Sequence, residues 1–221
     1  MDENEKKKKK EEKRRKNKND IKILYLVLYS IQMNTFDLQT ESVNQILDVR
    51  EETCNIPETQ QHKLLGKWNL YYHLPHDKNW DLASYKIIMN NIDSLEKLIA
   101  INENVSEQIV KYCMLFVMRD GITPMWEDPS NRNGGCFSFK VLNKQVYSVW
   151  KSLFYAMCGE TLFKNKAYHK LVNGITISPK KNFCIIKVWL LNCSIQDPEL
   201  MISIPNLSTQ GCLFKKHEPE F

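Results

Sequence analysis

The chain of 221 residues has no Cys-x-x-Cys pair, no glycine-rich phosphate loop, no nucleophile elbow and no paired carboxylates at a telling spacing. Those absences remove the usual sequence marks of nucleotide hydrolysis, covalent hydrolase chemistry and dithiol redox work, so no catalysis and no cofactor are expected. His73 and His76 stand three apart with Asp77 beside them, but Leu74-Pro75 forces a turn between them and further ligands are missing, so no metal is expected either. A membrane-spanning run is also lacking: Ile23–Tyr29 is continuously apolar, yet far short of the ~20 residues a bilayer demands. A secretory signal is disfavoured because acids are interspersed in the preceding basic stretch and no small-residue cleavage site follows. The segment Ile21–Ile31 is read as an extra strand or helix that docks on the domain.

A broad basic surface is missing as well. The formal charge is +5, but residues 1–20 hold ten Lys/Arg against six Asp/Glu, leaving 21 basic and 20 acidic residues for the rest. Affinity from counterion release scales with the phosphates a folded face neutralises, so any nucleic acid must be gripped locally. The seven cysteines (Cys54, Cys113, Cys136, Cys158, Cys184, Cys193 and Cys212) are odd in number and widely spaced. Free, mostly buried thiols in a reducing, cytoplasmic setting are the simplest reading.

What is present suits one domain. Residues 1–20 form a charged, low-complexity tail that is expected to be disordered, residues 21–61 an N-terminal extension, and residues 62–221 the folded domain. Trp68–Tyr72, Tyr85–Met89, Tyr112–Val117 and Cys136–Val141 read as strands. Asp93-Ser94-Leu95-Glu96 resembles a capping box with Asp93 as the cap, ahead of a short helix. Val146, Val149, Trp150, Leu153, Phe154 and Met157 recur at helical spacing up to Gly159 and define a core-facing helix. Gly174–Ser178 and Cys184–Leu191 read as a hairpin, and Leu200–Ile204 as a last strand. Strands with a few helices and no βαβ regularity indicate an α+β domain, helices on one face of an antiparallel sheet.

Two tryptophans stand in polar loops: Trp80 in His76–Asp81, and Trp126 in Asp120-Gly121-Ile122-Thr123-Pro124-Met125-Trp126-Glu127-Asp128. An indole there exposes costly apolar area unless it caps the core or something stacks on it.

The order and context of these residues resemble the eukaryotic translation initiation factor 4E family. The resemblance rests on His62-Lys63-Leu64-Leu65-Gly66-Lys67-Trp68, the loop ending in Trp80, Ile92–Glu96, the Asp120–Asp128 segment with Gly134-Gly135 after it, Trp150 through Glu160, and Ile186-Lys187-Val188-Trp189. It implies a curved antiparallel β-sheet with helices packed on the convex face and a slot for the 7-methylguanosine cap of mRNA on the concave face. Trp80 and Trp126 would stack on the base, Glu127 would accept from its Watson–Crick edge, and Trp189 would lie beside the methyl group. The family's phosphate-binding cations are altered: Lys180 stands at an Arg position, Ile185 at a basic one and Cys136 at the Arg after the glycine pair. Strand alternation puts Ile185, Lys187 and Trp189 on one face. Lys187, with Lys181 nearby, is therefore expected to replace part of the missing charge, and Lys215 and Lys216 to approach the phosphates or the next nucleotide.

The resemblance further implies a convex surface for a scaffold or repressor protein presenting a helical Tyr-x-x-x-x-Leu motif. His62, Trp68, Leu95, Ile99, Lys151 and Tyr155 map onto that surface. Ile99 replaces the family's partner-binding Trp, and Lys151-Ser152 a Leu-Glu pair, which puts the usual partner in question. Three functions stay open: a cap-binding initiation factor, a cap-binding repressor or decoy, and an interaction protein that keeps the fold with weak cap affinity.

Overall fold

The computed structural model describes residues 61–73 and 77–218. The expectations for the tail, for Ile21–Ile31, for Cys54 and for His76 fall outside those residues. Seven strands form one open, curved sheet: β1 (Lys63–His73), β2 (Lys86–Ser94), β3 (Met114–Arg119), β4 (Gly135–Leu142), β5 (Val172–Pro179), β6 (Phe183–Leu190) and β7 (Leu213–Lys216). Their order is β2-β1-β3-β5-β6-β4-β7, with every neighbouring pair antiparallel. The described residues also form helices α1 (Leu95–Asn104), α2 (Glu107–Tyr112) and α3 (Asn143–Cys158), with short 3-10 helices at Leu82–Ser84, Lys166–Leu171 and Pro198–Leu200.

Period-two alternation sorts the strands into two faces. On β6, Cys184, Ile186, Val188 and Leu190 enter the main core, where they meet the apolar face of α3, including Val149, Trp150, Leu153 and Phe154. Each fully buried side chain of that kind contributes roughly 1.5–3 kcal/mol of transfer free energy. Trp189, one residue out of phase, faces the opposite side. There it joins a smaller cluster with Phe116, Met118, Cys136 and Ile122. The helices thus hold one face of the sheet and leave the other, concave face to the site.

The α+β expectation and most elements agree with this architecture, and three local expectations change. Strand β3 starts at Met114, not Tyr112, because Ser106 accepts from the Ile109 amide and caps α2, which runs through Tyr112. The cap of α1 is Ser94, whose hydroxyl accepts from the Lys97 amide. Asp93 instead takes Lys97 at 2.7 Å and Lys63 at 3.2 Å, and Glu96 reaches back to the His62 amide rather than to its own cap. Leu200–Ile204 is not the last strand. Pro198 has no amide hydrogen and opens a 3-10 turn capped by Asp197, after which Met201 makes only an isolated bridge to Phe163. The last strand is β7, which adds to the free edge of β4 and pairs Cys136 with Lys215.

Candidate functional site

The concave face carries a cleft of about 690 Å³. The structure brings Trp80, Trp126, Glu127, Lys187 and Trp189 to it, together with Tyr85, Phe116 and Thr176. Trp80 arrives from the β1–β2 connection and Trp126 from the β3–β4 connection, so two sequence-distant loops supply the indoles.

Both loops are tied by side chain to backbone hydrogen bonds, the general device for holding irregular backbone in one shape. In the first, Asp81 caps the 3-10 turn Leu82–Ser84, and the Asn79 carbonyl takes His73 Nε2 at 2.8 Å. In the second, the Asp128 carboxylate accepts from the Thr123 amide and hydroxyl, both at 2.7 Å, and from the Ser130 amide at 2.8 Å. Fully buried Asn131 donates to the carbonyls of Thr123 and Met125, which fixes the backbone on the approach to Trp126. Gly134 closes this loop against β6: a Cβ there would sit 1.9 Å from the Leu190 carbonyl oxygen, so only glycine fits.

Trp80 is 48% exposed, and its other ring face is covered by His73, stacked at 4.1 Å between centroids with 2° between planes. Trp126 is half-buried against His217, at 5.5 Å and 14°. Each slot indole therefore has a buried imidazole at its back. His217 also touches Trp189 at 4.8 Å, and its Nδ1 donates to the Asn131 carbonyl at 2.7 Å. Burial, and secondarily the charge on Lys187, hold the His217 imidazole below its ordinary range, against the pull of the Asn131 hydrogen bond. Trp189 is buried at the floor, its indole N–H donating to Thr176 Oγ1 at 3.1 Å.

Charge is divided within the cleft. Glu127 has no hydrogen-bond partner among the described residues and faces the same space as Tyr85, whose phenol is pushed up to about 12, first by burial and then by the charge on Glu127. Near Trp126 the charge is positive: Lys187 and Lys215 place their ammonium groups 5.4 and 5.5 Å from its ring centroid. Both belong to strands next to β4, on which Cys136 pairs with Trp189 on one side and Lys215 on the other. Cys136 is itself buried, with its thiol raised above the ordinary range chiefly by that burial. Lys180 and Lys181 do not line the cleft; they are exposed at the β5–β6 turn. Lys216 alternates to the other face of β7 from Lys215. Sequence reading missed Tyr85, His73 and His217. Their only signal was aromatic or imidazole character at strand ends, and that acquires meaning only once the loop tryptophans are placed over them.

On the helix side, Leu95 and Ile99 lie on α1 and are 41% and 44% exposed, and His62 is exposed beside Glu96 at 2.7 Å. Lys151 pairs with Glu103, and the Tyr155 hydroxyl donates to the same carboxylate at 2.7 Å. Trp68 does not belong to this surface. It is fully buried, with the Arg119 guanidinium 4.5 Å over its ring, because its register on β1 turns it into the main core.

Among the described residues no helix is long and apolar enough to cross a membrane, and no cluster of three or more His, Cys, Asp or Glu could hold a metal ion. An open sheet floored with aromatics, two loop-borne indoles, a carboxylate without a hydrogen-bond partner among the described residues, and lysines at one side make up this cleft. The chain belongs to the eukaryotic initiation factor 4E family, which matches residues 63–213. It is 27% identical over 191 residues to eukaryotic translation initiation factor 4E of Candida glabrata, covering 79% of this chain and 86% of that one. A homolog in Acanthamoeba polyphaga mimivirus is 47% identical over 62 residues, 28% of this chain and 23% of the relative. Among solved structures, the complex of C. elegans eIF4E-3 with the 4E-binding protein Mextli and cap analog has a TM-score of 0.58 at 19% identity, covering 73% of this chain and 99% of that one. Schistosome eIF4E complexed with m7GpppG and 4E-BP has a TM-score of 0.56 at 22% identity, covering 64% of this chain and 78% of that one. At these identities the likeness to solved structures establishes the fold.

Proposed function

We propose that residues 62–221 are an mRNA cap-binding domain acting in translation initiation in the cytoplasm, as a binding module and not an enzyme. The observation that carries this reading is the convergence of Trp80, Trp126 and unpaired Glu127 on one cleft. Methylation at N7 gives guanine a positive charge, so each indole face attracts it by stacking and cation–π terms of about 1–3 kcal/mol. Glu127 accepts from the N–H donors of the Watson–Crick edge, a charge-assisted contact that adenine cannot reproduce. Trp189 lies beside the methyl group. The divided charge supports this orientation: carboxylate toward the base, Lys187 and Lys215 toward the triphosphate. With Cys136 and Ile185 supplying no charge, those two lysines are, among the described residues, the cations seen over the Trp126 ring.

Two of the similar solved structures hold a cap or cap analog together with a 4E-binding protein. By analogy, Leu95, Ile99, Lys151 and Tyr155 form the surface for a helical Tyr-x-x-x-x-Leu partner, an anchor-in-groove contact. The Lys151–Glu103–Tyr155 bridge puts polar groups where such a helix seeks apolar ones, which favours a second reading: a repressor or decoy that holds caps without the usual scaffold.

Titration of 7-methyl-GTP against GTP, followed by tryptophan fluorescence, tests the main reading. Selective quenching by the methylated nucleotide is expected; equal response to both rules it out. Retention on a Tyr-x-x-x-x-Leu peptide separates the two roles.

A further inference from the structure

We propose that the concave face continues beyond the cleft as a shelf for the RNA that follows the cap, on which Phe183 stacks a base and Lys140 holds a phosphate. The proposal deepens the cap-binding reading and rests on it.

Strand alternation builds the shelf. On β6 the residues out of phase with the main core are Phe183, Ile185, Lys187 and Trp189. They succeed one another at about 7 Å, two residues of strand rise each, so Phe183 lies about 13 Å from Lys187 along the strand. On β4 the same face carries Cys136, Ser138, Lys140 and Leu142, because Phe137, Phe139 and Val141 enter the core. Register sets the two series side by side, with Ser138 opposite Lys187, Lys140 opposite Ile185, and Leu142 opposite Phe183.

The cleft ends where this shelf begins. Lys187 and Ser178 line the cleft, and Ser178 pairs with Ile185 from the β5 side. A chain that leaves the triphosphate at Lys187 and follows β6 therefore passes over Ile185 and then Phe183.

The shelf combines apolar surface with cations. Ile185 and Phe183 are half-buried, Leu142 is 48% exposed, and Lys140 sets its ammonium 4.6 Å from the centre of the Phe183 ring. Lys180 and Lys181, exposed at the turn before Phe183, extend the positive charge. Among the described residues none of these three lysines is salt-bridged, and no position facing the shelf from β4 or β6 is Asp or Glu.

Apolar side chains scattered singly over a surface need no explanation, but adjacent ones rimmed by polar groups mark an interaction site. Charge selects the occupant here: a polyanion with flat apolar parts. Single-stranded RNA alternates phosphates with unpaired bases, and every base has a π face that stacks on an aromatic ring whatever its sequence. The flexible stem of Lys140 lets the ammonium pass from the ring to a phosphate as a base takes its place, with no carboxylate partner to break.

The test titrates 7-methyl-GTP and a short capped oligonucleotide separately into the full chain, and reads the affinity gained from the added nucleotides. A gain of about ten-fold or more is expected of the wild type. Phe183→Ala should remove most of that gain and leave 7-methyl-GTP binding unchanged, which also shows that the variant is folded. Phe183→Tyr keeps a flat ring and should retain the gain. Lys140→Gln should lower the slope of log affinity against log salt for the capped oligonucleotide by about 0.7, the value of one phosphate contact on a single strand.

A wild type that gains nothing from the added nucleotides overturns the proposal. So does a gain that survives both Phe183→Ala and Lys140→Gln, since the nucleotides are then held by the basic residues 1–20 or leave the cleft by another route. Equal weakening of both ligands by Phe183→Ala, with Lys140→Gln without effect, overturns it as well, because Phe183 then supports the fold and not the RNA. A wild type that does not prefer 7-methyl-GTP to GTP is the failure of the cap-binding reading itself, distinct from a selective protein with no gain from chain length.

Discussion

Replacing Trp126 by alanine removes one face of the slot and little of the fold. The residue sits in a loop whose backbone is held by Asp128 and Asn131, neither of which uses the indole. Its packing partners include the His217 ring, the ammonium groups of Lys187 and Lys215, and the small concave-face cluster that holds Trp189. For a half-buried aromatic of this kind, stability should fall by about 1–2 kcal/mol. The bound base loses more: a stack of about 2 kcal/mol plus a cation–π term of about 1 kcal/mol. Together these correspond to roughly a hundred-fold loss of affinity for 7-methyl-GTP. GTP, whose base is uncharged, loses only the stacking part, so selectivity between the two should shrink about five-fold. Equilibrium titration by Trp80 and Trp189 fluorescence, with a thermal melt as the folding control, measures each quantity. A folded variant that binds 7-methyl-GTP within three-fold of wild type would refute the reasoning.

Charge reversal ranks the lysines. Lys187→Glu should weaken 7-methyl-GTP binding about ten-fold or more through loss of a charged contact, while Lys180→Glu and Lys181→Glu, at the distant turn, should change it less in the same titration. Gly174 sits across from Trp189, and a Cβ there would lie 2.3 Å from the Val117 carbonyl oxygen and 2.5 Å from Met118 Sδ. Gly174→Ala should cost about 2–3 kcal/mol in urea unfolding and displace the slot floor. Stability should also depend on pH through His217. Its folded-state value is depressed, so its contribution is present above the ordinary histidine value of about 6.5 and is lost as pH falls below it. Urea midpoints at pH 7.5 and 5.5 should differ less in His217→Phe. Glu96 acts in a separate window: hydrogen bonding to His62 holds its carboxyl at about 2, so that contribution is lost only as pH falls from 4.5 toward 2.

Much of the scaffold was legible in the chain because its signals are local. The 3.6-residue period from Val146 to Met157 marks α3 wherever it packs, and the hairpin around Pro179–Asn182 follows from turn residues between two apolar runs. The indoles were legible through their polar surroundings, and Lys187 through its phase with Trp189 on β6. Phase within one strand depends on nothing beyond that strand.

Other features depended on partners far away in sequence. Trp68 has the same strand context whether it faces solvent or core, and only the pairing of β1 with β2 and β3 turned it inward against Arg119. The last strand moved from Leu200–Ile204 to Leu213–Lys216 because strand identity there rests on the free edge of β4, which no window of sequence contains. That same edge places Lys215 beside Cys136 and sets His217 behind Trp126, 91 residues earlier in the chain. The sequence by itself therefore determined most of the elements, and which aromatic residues and which carboxylate stand in the polar loops. Tertiary structure alone decided which imidazoles stand behind the indoles and which lysines surround them, because those relations are made by strand pairing and loop closure, whose energies are shared between distant segments.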